Sequence, residues 1–162
     1  MKVLISGFKG HTNSAKLIID RIKSKNVLEK LYLVNSFQTS EKQLKDELEK
    51  QSYDFVITFG QKPKVKSIYL EQKAGINGHK LITNYEYNKL KKLLNDNGFT
   101  VEISNNAGNY LCNHIFYTGL KFICENNMNT NMIFIHIPSV KNIENIDCLA
   151  KVFSIFIDSL VK

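Results

Sequence analysis

Cysteine is scarce in this sequence, and its spacing does not suit a metal or redox site. The three cysteines are Cys112, Cys124 and Cys148. Their number is odd and no C-x-x-C pair occurs, which argues against a zinc site and against a dithiol redox couple. Thiols without such partners are typical of proteins in a reducing compartment. We therefore expect free cysteines, with Cys124 and Cys148 in the apolar core.

Long apolar runs are also missing, and the pattern of the first residues does not predict a secretory leader. The longest runs, residues 132–137 and 152–157, are far shorter than the roughly 20 residues that a membrane span requires. The first residues, MKVLISGF, lack a long apolar region and a small-residue cleavage site. We expect a soluble, cytoplasmic protein with no membrane partner. A chain of 162 residues fits one domain, 1–162, around a single core.

Arginine is nearly absent although the chain is basic. The formal net charge is +7, yet 21 of the 22 basic residues are lysines and Arg21 is the one arginine. Bidentate contacts to phosphates and guanine edges favour arginine, and the lysines are scattered rather than grouped with aromatic residues. The composition therefore predicts solvated surface charge and argues against a nucleic-acid partner.

Apolar residues alternate between the spacing of strands and that of helices. This order predicts an α/β fold, a three-layer α/β/α domain with a largely parallel mixed sheet covered on both faces. The predicted strands cover residues 2–8, 28–35, 53–60, 100–104 and 131–139, and residues 66–77 alternate like a further strand. The predicted helices cover residues 12–26, 40–51 with Ser40 as cap, 85–95, 110–125 and 143–162.

Polar residues and glycines follow the ends of the predicted strands. In parallel sheets, functional sites gather at the carboxyl ends of the strands. Phe8, Gln61, residues 104–108 and residues 136–139 all stand at such ends. We expect these residues to meet at one edge of the sheet.

Cys112 lies in the stretch NNAGNYLCNHIFYTG, where a polar loop gives way to an apolar helix. If the helix begins near Tyr110, Cys112 is in its first turn, where free backbone N–H groups and the helix dipole stabilise a thiolate and an oxyanion. The alternative is a small buried hydrophobe, a common role for free cysteine. The position of Cys112 alone leaves both interpretations open.

A cysteine nucleophile needs a histidine base and a group that orients the imidazole. His136 ends an apolar strand in IFIHIPS, where it is either a hydrogen-bonded core residue or a catalytic base. His114 follows Cys112 by two residues and points about 200° away from it around the helix, so it is the poorer base. Glu71, in the strand-like SIYLEQKAGIN, is either the orienting carboxylate or an outward-facing residue of an edge strand.

The segments YLEQKAGIN, ISNNAGNYLCNHIFYTGL and FIHIPS together resemble pyroglutamyl peptidase I, the pyrrolidone-carboxylate peptidase family of cysteine peptidases. The similarity runs nearly end to end, and MKVLISGF and ITFGQ match the first strand and the glycine-glutamine strand end of the family. The resemblance implies a single pyroglutamyl-peptidase-like domain over residues 1–162. It also implies removal of an N-terminal pyroglutamyl residue from peptides through a thioester, without a metal or cofactor.

By that resemblance, Cys112 is the nucleophile, His136 the general base and acid, and Glu71 the group that holds His136. The matching positions for binding of the substrate's lactam ring are Phe8, Gln61, Tyr110 and Leu111. Family members often form oligomers, so a homo-oligomer is among the expectations.

The chain also departs from the family pattern. Family members typically exceed 200 residues and carry a second phenylalanine after the first strand and an arginine close to the developing oxyanion. Here Lys80 or backbone N–H groups would replace that arginine, and loss of one oxyanion donor costs about 100-fold to 1000-fold in rate. The expectation is therefore a shortened, weak peptidase. The alternative is a non-catalytic or differently specific member that binds a small acyl or peptide ligand.

Overall fold

The computed structural model describes residues 1–160. Within that range the chain forms eight strands and five α-helices. The strands are β1 Lys2–Phe8, β2 Val27–Leu33, β3 Phe55–Lys62, β4 Ile68–Glu71, β5 Lys73–Ile76, β6 His79–Ile82, β7 Val101–Ser104 and β8 Asn131–Pro138. The helices are α1 Ser14–Arg21, α2 Phe37–Lys50, α3 Asn88–Asp96, α4 Leu111–Glu125 and α5 Ile146–Ser159.

Six strands form the central sheet in the order β2-β1-β3-β8-β4-β7. All neighbours are parallel except β4 and β8, which are antiparallel. The sheet is therefore mixed and mostly parallel, as the sequence predicts. Strands β5 and β6 form a separate antiparallel hairpin.

Apolar residues of the sheet alternate between its two faces, as expected when helices cover both. Side chains of α1, α3 and α5 pack on one face with Val3, Ile5 and Ile57. Side chains of α2 and α4 pack on the other face with Leu4 and Phe134. The three-layer arrangement is confirmed. Among residues 1–160, no helix has both the length and the apolar character needed to cross a membrane.

Several predicted boundaries are wrong for local reasons. Helix α2 begins at Phe37 rather than Ser40, because the Ser36 side chain accepts a hydrogen bond from the Thr39 N–H and caps the helix earlier. The single strand predicted over residues 66–77 is two strands in different sheets, with Gln72 between them. The predicted last helix extends to residue 162, but residues 161–162 lie outside the described part of the chain.

Two expectations about position are also wrong. Strand β7 is parallel to β4 and therefore opposite in direction to β8, so residues 104–108 and residues 136–139 follow opposite ends of the sheet. The loop after β7 nevertheless returns to the site, because Ala107 belongs to the apolar cluster of Phe8, against which Cys112 packs. Cys124 is exposed rather than buried, because its position on α4 faces away from the sheet. Cys148 is half-buried at the start of α5.

Candidate active site

His136 and Glu71 form a buried pair between neighbouring strands. In the antiparallel register of β4 and β8, Glu71 is opposite Phe134 and Tyr69 is opposite His136. Phe134 is two residues before His136 and therefore shares its face of the sheet, as does Glu71 opposite Phe134. Because Phe134 packs with side chains of α4, this is the face that α4 covers. The imidazole Nδ1 is 2.7 Å from the Glu71 Oε1. His136 is 4% exposed and Glu71 is 0% exposed, so this contact is shielded from water.

The geometry of this pair sets the tautomer of the histidine. A carboxylate can only accept a hydrogen bond, so the His136 Nδ1–H donates and Nε2 is left to accept a proton. The Tyr87 hydroxyl donates to the Glu71 backbone oxygen at 2.8 Å and steadies the end of β4. Within residues 1–160 the Glu71 Oε2 is buried without a hydrogen-bond partner. The carboxylate thus directs its hydrogen bonding to His136.

Cys112 is placed against the same part of the sheet by the close approach of α4 to Gly60. A Cβ atom at Gly60 would lie 2.6 Å from the Cys112 Sγ and 2.9 Å from the Phe134 Cζ. Gly60 is also the register partner of His136 in the β3–β8 pairing. The nucleophile candidate, the histidine and Glu71 therefore share one face of the sheet, over three neighbouring strands.

The backbone at the start of α4 is available to a ligand. Tyr110 is the N-cap residue and makes no side-chain cap hydrogen bond. The first N–H bonded within the helix is that of His114, which donates to the Tyr110 carbonyl. The preceding N–H groups, including that of Cys112, point from a helix N-terminus and can stabilise an anion.

The electrostatic environment of Cys112 differs from the expected one. Burial and the negative charge of Glu71 raise the pKa of the Cys112 thiol to about 12, and Lys62 has a smaller lowering effect. The position at a helix N-terminus favours a stabilised thiolate, but desolvation disfavours the charged form more strongly. In the protein without substrate, the thiol is therefore protonated at neutral pH.

Lys62 is a site neighbour that the sequence pattern does not single out. It ends β3, and its Nζ lies 4.4 Å from the centre of the Tyr69 ring. In the sequence, residues 62–66, KPKVK, form a solvated loop by default and could otherwise bind an anion, and neither interpretation places Lys62 beside a thiol. The pairing of Tyr69 with His136 becomes visible only once β4 is placed in the sheet. This cation–π contact holds a positive charge near the thiol.

The four residues matched to lactam binding occupy different environments. Phe8 is buried, and Leu111 and Cys112 pack against the cluster that contains it. The Gln61 Oε1 accepts the Ser14 backbone N–H at 2.8 Å, which leaves the amide nitrogen as its donor. Tyr110 is 81% exposed. The structure thus brings Phe8 and Leu111 together with the nucleophile candidate, whereas Tyr110 lies on the surface.

The other histidines take no part in the buried contact with Glu71. The His114 Nε2 is 2.8 Å from the Glu41 Oε2, and its ring packs edge-on against Phe37. These contacts join α4 to α2, so His114 faces away from Cys112, as its position in the helix predicts. His11 and His79 are exposed. Within residues 1–160, no cluster of three histidine, cysteine or acidic residues is arranged to hold a metal ion.

Comparison with known sequences shows a consistent set of relatives. The family model described as pyroglutamyl peptidase matches residues 81–162. That range includes Cys112 and His136 but not Glu71. A pyrrolidone-carboxylate peptidase of Brachyspira hyodysenteriae is 31% identical over 170 aligned residues, which cover 86% of this chain and 84% of that protein. The pyrrolidone-carboxylate peptidase of Thermosipho melanesiensis is 28% identical, with 88% and 85% covered.

Solved structures show the same fold at lower identity. A mutant pyrrolidone carboxyl peptidase from Pyrococcus furiosus superposes with a TM-score of 0.87 at 20% identity and covers 98% of this chain and 97% of the other. The pyrrolidone carboxyl peptidase from Thermococcus litoralis gives a TM-score of 0.82 at 22% identity, with 96% and 91% covered.

Proposed function

This chain belongs to the pyroglutamyl peptidase family of cysteine peptidases, and from that premise we propose that Cys112, His136 and Glu71 carry out the removal of an N-terminal pyroglutamyl residue from peptides. The observation that carries the assignment of residues is the buried 2.7 Å contact of His136 with Glu71, on the face where Cys112 meets Gly60. A histidine whose Nδ1 is held by a carboxylate is suited to move a proton at Nε2.

In the acylation step, the Cys112 sulfur attacks the pyroglutamyl carbonyl carbon while the thiol proton passes to the His136 Nε2. The raised pKa of the thiol favours a proton transfer that accompanies the attack, because the protonated form predominates before substrate binds. The protonated imidazole, stabilised by Glu71, then donates its proton to the leaving amine. The carbon–nitrogen bond breaks, the shortened peptide departs and a thioester remains on Cys112.

Hydrolysis reverses the proton path. A water molecule gives one proton to the His136 Nε2 as its oxygen attacks the thioester carbonyl. The carbon–sulfur bond then breaks, pyroglutamate is released, and the sulfur recovers the proton from His136. The uncapped N–H groups at the start of α4 support stabilisation of the oxyanion in both steps. Lys80 is the alternative donor in place of the family's arginine.

The lactam ring would be held beside Phe8 and Leu111, with the Gln61 amide nitrogen as a hydrogen-bond donor. Phe8 is 4% exposed and contributes an apolar wall, whereas the Gln61 oxygen is already engaged by Ser14. An apolar wall with few directed polar groups suits a small neutral ring. Tyr110, which is exposed at the entrance of α4, would close over the bound ring.

The proposal also covers organisation and location. We propose one catalytic domain over residues 1–162, acting in the cytoplasm without a metal or cofactor, and associating with further copies of itself. Ile82, 64% exposed, and Val27, 58% exposed, lie on β6 and β2 and do not belong to one element, so the proposal of self-association rests on the resemblance to the family. Light scattering on the purified protein measures the subunit number.

The test is release of aminomethylcoumarin from its pyroglutamyl derivative by the wild-type protein and by Cys112→Ala. We expect release by the wild type and none above background by the variant, because the acyl acceptor is gone. Cys124→Ala is the matched control and keeps the wild-type rate, since Cys124 is exposed on α4. No release by a folded wild-type protein would refute the proposal and favour a ligand-binding role. Equal release by Cys112→Ala would refute the choice of nucleophile.

A further inference from the structure

A cavity of about 300 Å³ opens next to the first turn of α4. It lies between the β5–β6 hairpin and the loop of residues 105–109 that leads into the helix. Asn113, which directly follows Cys112, forms part of its wall. The cavity is therefore adjacent to the nucleophile but is lined by different residues from those assigned to the lactam ring.

The wall of this cavity is held in place by a buried side chain. Asn113 is 6% exposed. Its Oδ1 accepts the Gly75 N–H at 3.0 Å and its Nδ2 donates to the Gly75 carbonyl at 2.8 Å. This two-way contact fastens the hairpin to the helix that carries Cys112. Any group bound by the hairpin is thereby held at a constant position relative to the nucleophile.

The lining of the cavity carries positive charge alone. Lys73 and Lys80 line it together with asparagine and small residues, and no acidic residue takes part. Lys80 is opposite Gly75 in the hairpin, and Lys73 is two residues before Gly75. Both lysine side chains therefore lie on the same face of the hairpin, the face on which Gly75 has only a hydrogen atom. Within residues 1–160, neither lysine forms an ion pair.

Another groove of the protein has a different charge balance. The cavity between α2 and α4 contains Lys45 and Lys121, but Glu41, Glu49 and Glu125 line it as well. Lysines there are offset by carboxylates at close range. The cavity beside Asn113 lacks that compensation, so its potential favours an anion.

The order of strands supports an orientation of the substrate in which the leaving peptide faces this cavity. Strand β3, which ends with the residues around Gln61, lies on one side of β8, and β4, which leads into the hairpin, lies on the other. A substrate with its lactam ring toward β1 and β3 presents its leaving amine to His136 on β8. The released peptide then extends toward the hairpin.

We propose that this cavity binds a carboxylate on the peptide portion that is released, so that Lys73 and Lys80 select substrates with an acidic residue directly after the pyroglutamyl group. This inference rests on the proposed function, since it assigns a specificity to the same reaction. The group recognised is a side-chain carboxylate, and the attraction is electrostatic, with hydrogen bonds from two ammonium groups.

The experiment compares two substrates of equal shape, pyroglutamyl-aspartate amide and pyroglutamyl-asparagine amide. Values of kcat/KM for both substrates are measured by liquid chromatography for the wild type and for the cavity variant Lys73→Gln/Lys80→Gln. The control variant is Lys25→Gln/Lys151→Gln, which removes the same charge from exposed positions outside the cavity. We expect the wild type to prefer the aspartate substrate by about 1.5-fold to 5-fold at low salt, as is typical of partly exposed ion pairs. The preference should approach unity at about 0.5 M salt.

The ratio of the two substrates isolates the cavity, because an effect of Lys80 on the oxyanion changes both rates equally. We expect the ratio to fall to about 1 in Lys73→Gln/Lys80→Gln and to persist in the remote control. A wild-type ratio near unity with cleavage of both substrates overturns this inference and leaves the proposed function intact. Persistence of the ratio in the cavity variant, or its loss in the remote control, also overturns it. Cleavage of neither substrate by folded wild-type protein overturns the proposed function itself.

Discussion

The thiol of Cys112 is kept protonated by its surroundings. Burial raises its pKa most, the charge of Glu71 raises it further, and Lys62 opposes both with a smaller effect. The thiol keeps its proton because it lies in a partly buried position close to a carboxylate. It follows that the thiol should react slowly with alkylating agents in the absence of substrate, even in an active enzyme.

The pH dependence of alkylation tests this state. In a Cys124→Ser/Cys148→Ser background, only Cys112 reacts with iodoacetamide. Because the thiolate is the reactive form and pH 7 to 9 lies below a pKa of about 12, we expect the rate to rise about tenfold per pH unit throughout that range. Lys62→Gln removes a charge that lowers the pKa and should slow alkylation at each pH. A plateau below pH 8, measured by mass spectrometry, would contradict this account.

Glu71 has opposite consequences for turnover and for alkylation of the free thiol. Glu71→Gln removes the charge that stabilises protonated His136, so turnover should slow about 100-fold or more. The same change removes a charge that raises the pKa of Cys112, so alkylation should become faster. Steady-state kinetics and alkylation rates on one preparation measure both effects.

The chain contains a matched control for this variant. Glu41 pairs with His114 at 2.8 Å in a partly exposed contact that joins α2 and α4. Glu41→Gln changes the same chemical groups at a place that does not face Cys112, and wild-type turnover is expected. A Glu71→Gln enzyme with near wild-type turnover would show that His136 needs no carboxylate.

At the scale of elements, the position of Cys112, the proposed nucleophile, depends on how closely α4 approaches the sheet. Glycine permits the approach at two places, since a Cβ at Gly119 would lie 2.2 Å from the Met132 Sδ, and one at Gly60 would lie 2.6 Å from the Cys112 Sγ. Gly119 belongs to α4 and Gly60 to β3. The absence of a side chain at Gly60 and at Gly119 thus allows α4 to pack closely against the sheet at two positions along the helix.

Gly60→Ala tests that arrangement. The added methyl group must displace Cys112 or the Phe134 ring, so we expect turnover to slow at least about tenfold, in keeping with the sensitivity of a catalytic group to small displacements. Overpacking should also lower the free energy of unfolding by about 1–3 kcal/mol. Enzyme assays and thermal unfolding on the same sample measure the two effects.

Gly7→Ala is the control for crowding without displacement of Cys112. Its Cβ would lie 2.6 Å from the Ile19 Cδ1 on the opposite face of the sheet. It should destabilise the protein to a similar extent while the folded fraction keeps its turnover rate. Equal losses of turnover in both variants would mean that stability, rather than the position of Cys112, accounts for the Gly60→Ala result.

The β5–β6 hairpin shows why the sequence pattern did not predict one of the elements. Residues 66–77 alternate as one strand, yet the chain leaves the central sheet after Glu71 and continues in a separate hairpin. Pairing of Thr83 N–H with the Gln72 carbonyl closes the base of that hairpin. Short strands of this kind are decided by their partners, and the hairpin is held by Asn113 from α4.

At the scale of the whole molecule, the candidate site joins residues that are far apart in the chain. Glu71, Cys112 and His136 come from β4, α4 and β8. They meet because β4 enters the sheet against the direction of β8, which brings a carboxylate opposite a strand-end histidine. The remaining lysines lie over much of the surface, and the cavity beside Asn113 is a place where two of them meet without a carboxylate.

The sequence by itself determined the alternation of strands and helices, the start of α4 close to Tyr110 and the place of His136 at the end of a strand. These features depend on local spacing of apolar residues and on the conformational preferences of neighbouring residues. Family membership followed from motifs around Cys112 and His136 together with the matching relatives. The candidate residues were therefore visible as a set before their geometry was known.

Only the tertiary structure decided the direction of β4 and β7, the hairpin, the contact of His136 with Glu71, the exposure of Cys124 and the raised pKa of Cys112. Strand direction depends on partners far along the chain, since a short apolar segment pairs in either sense. The thiol's pKa depends on the burial and charges that distant elements supply, and helix position alone indicates the opposite shift. Local sequence patterns carry no information on strand partners or on the burial and charges around a side chain, because these are established only when the elements pack together.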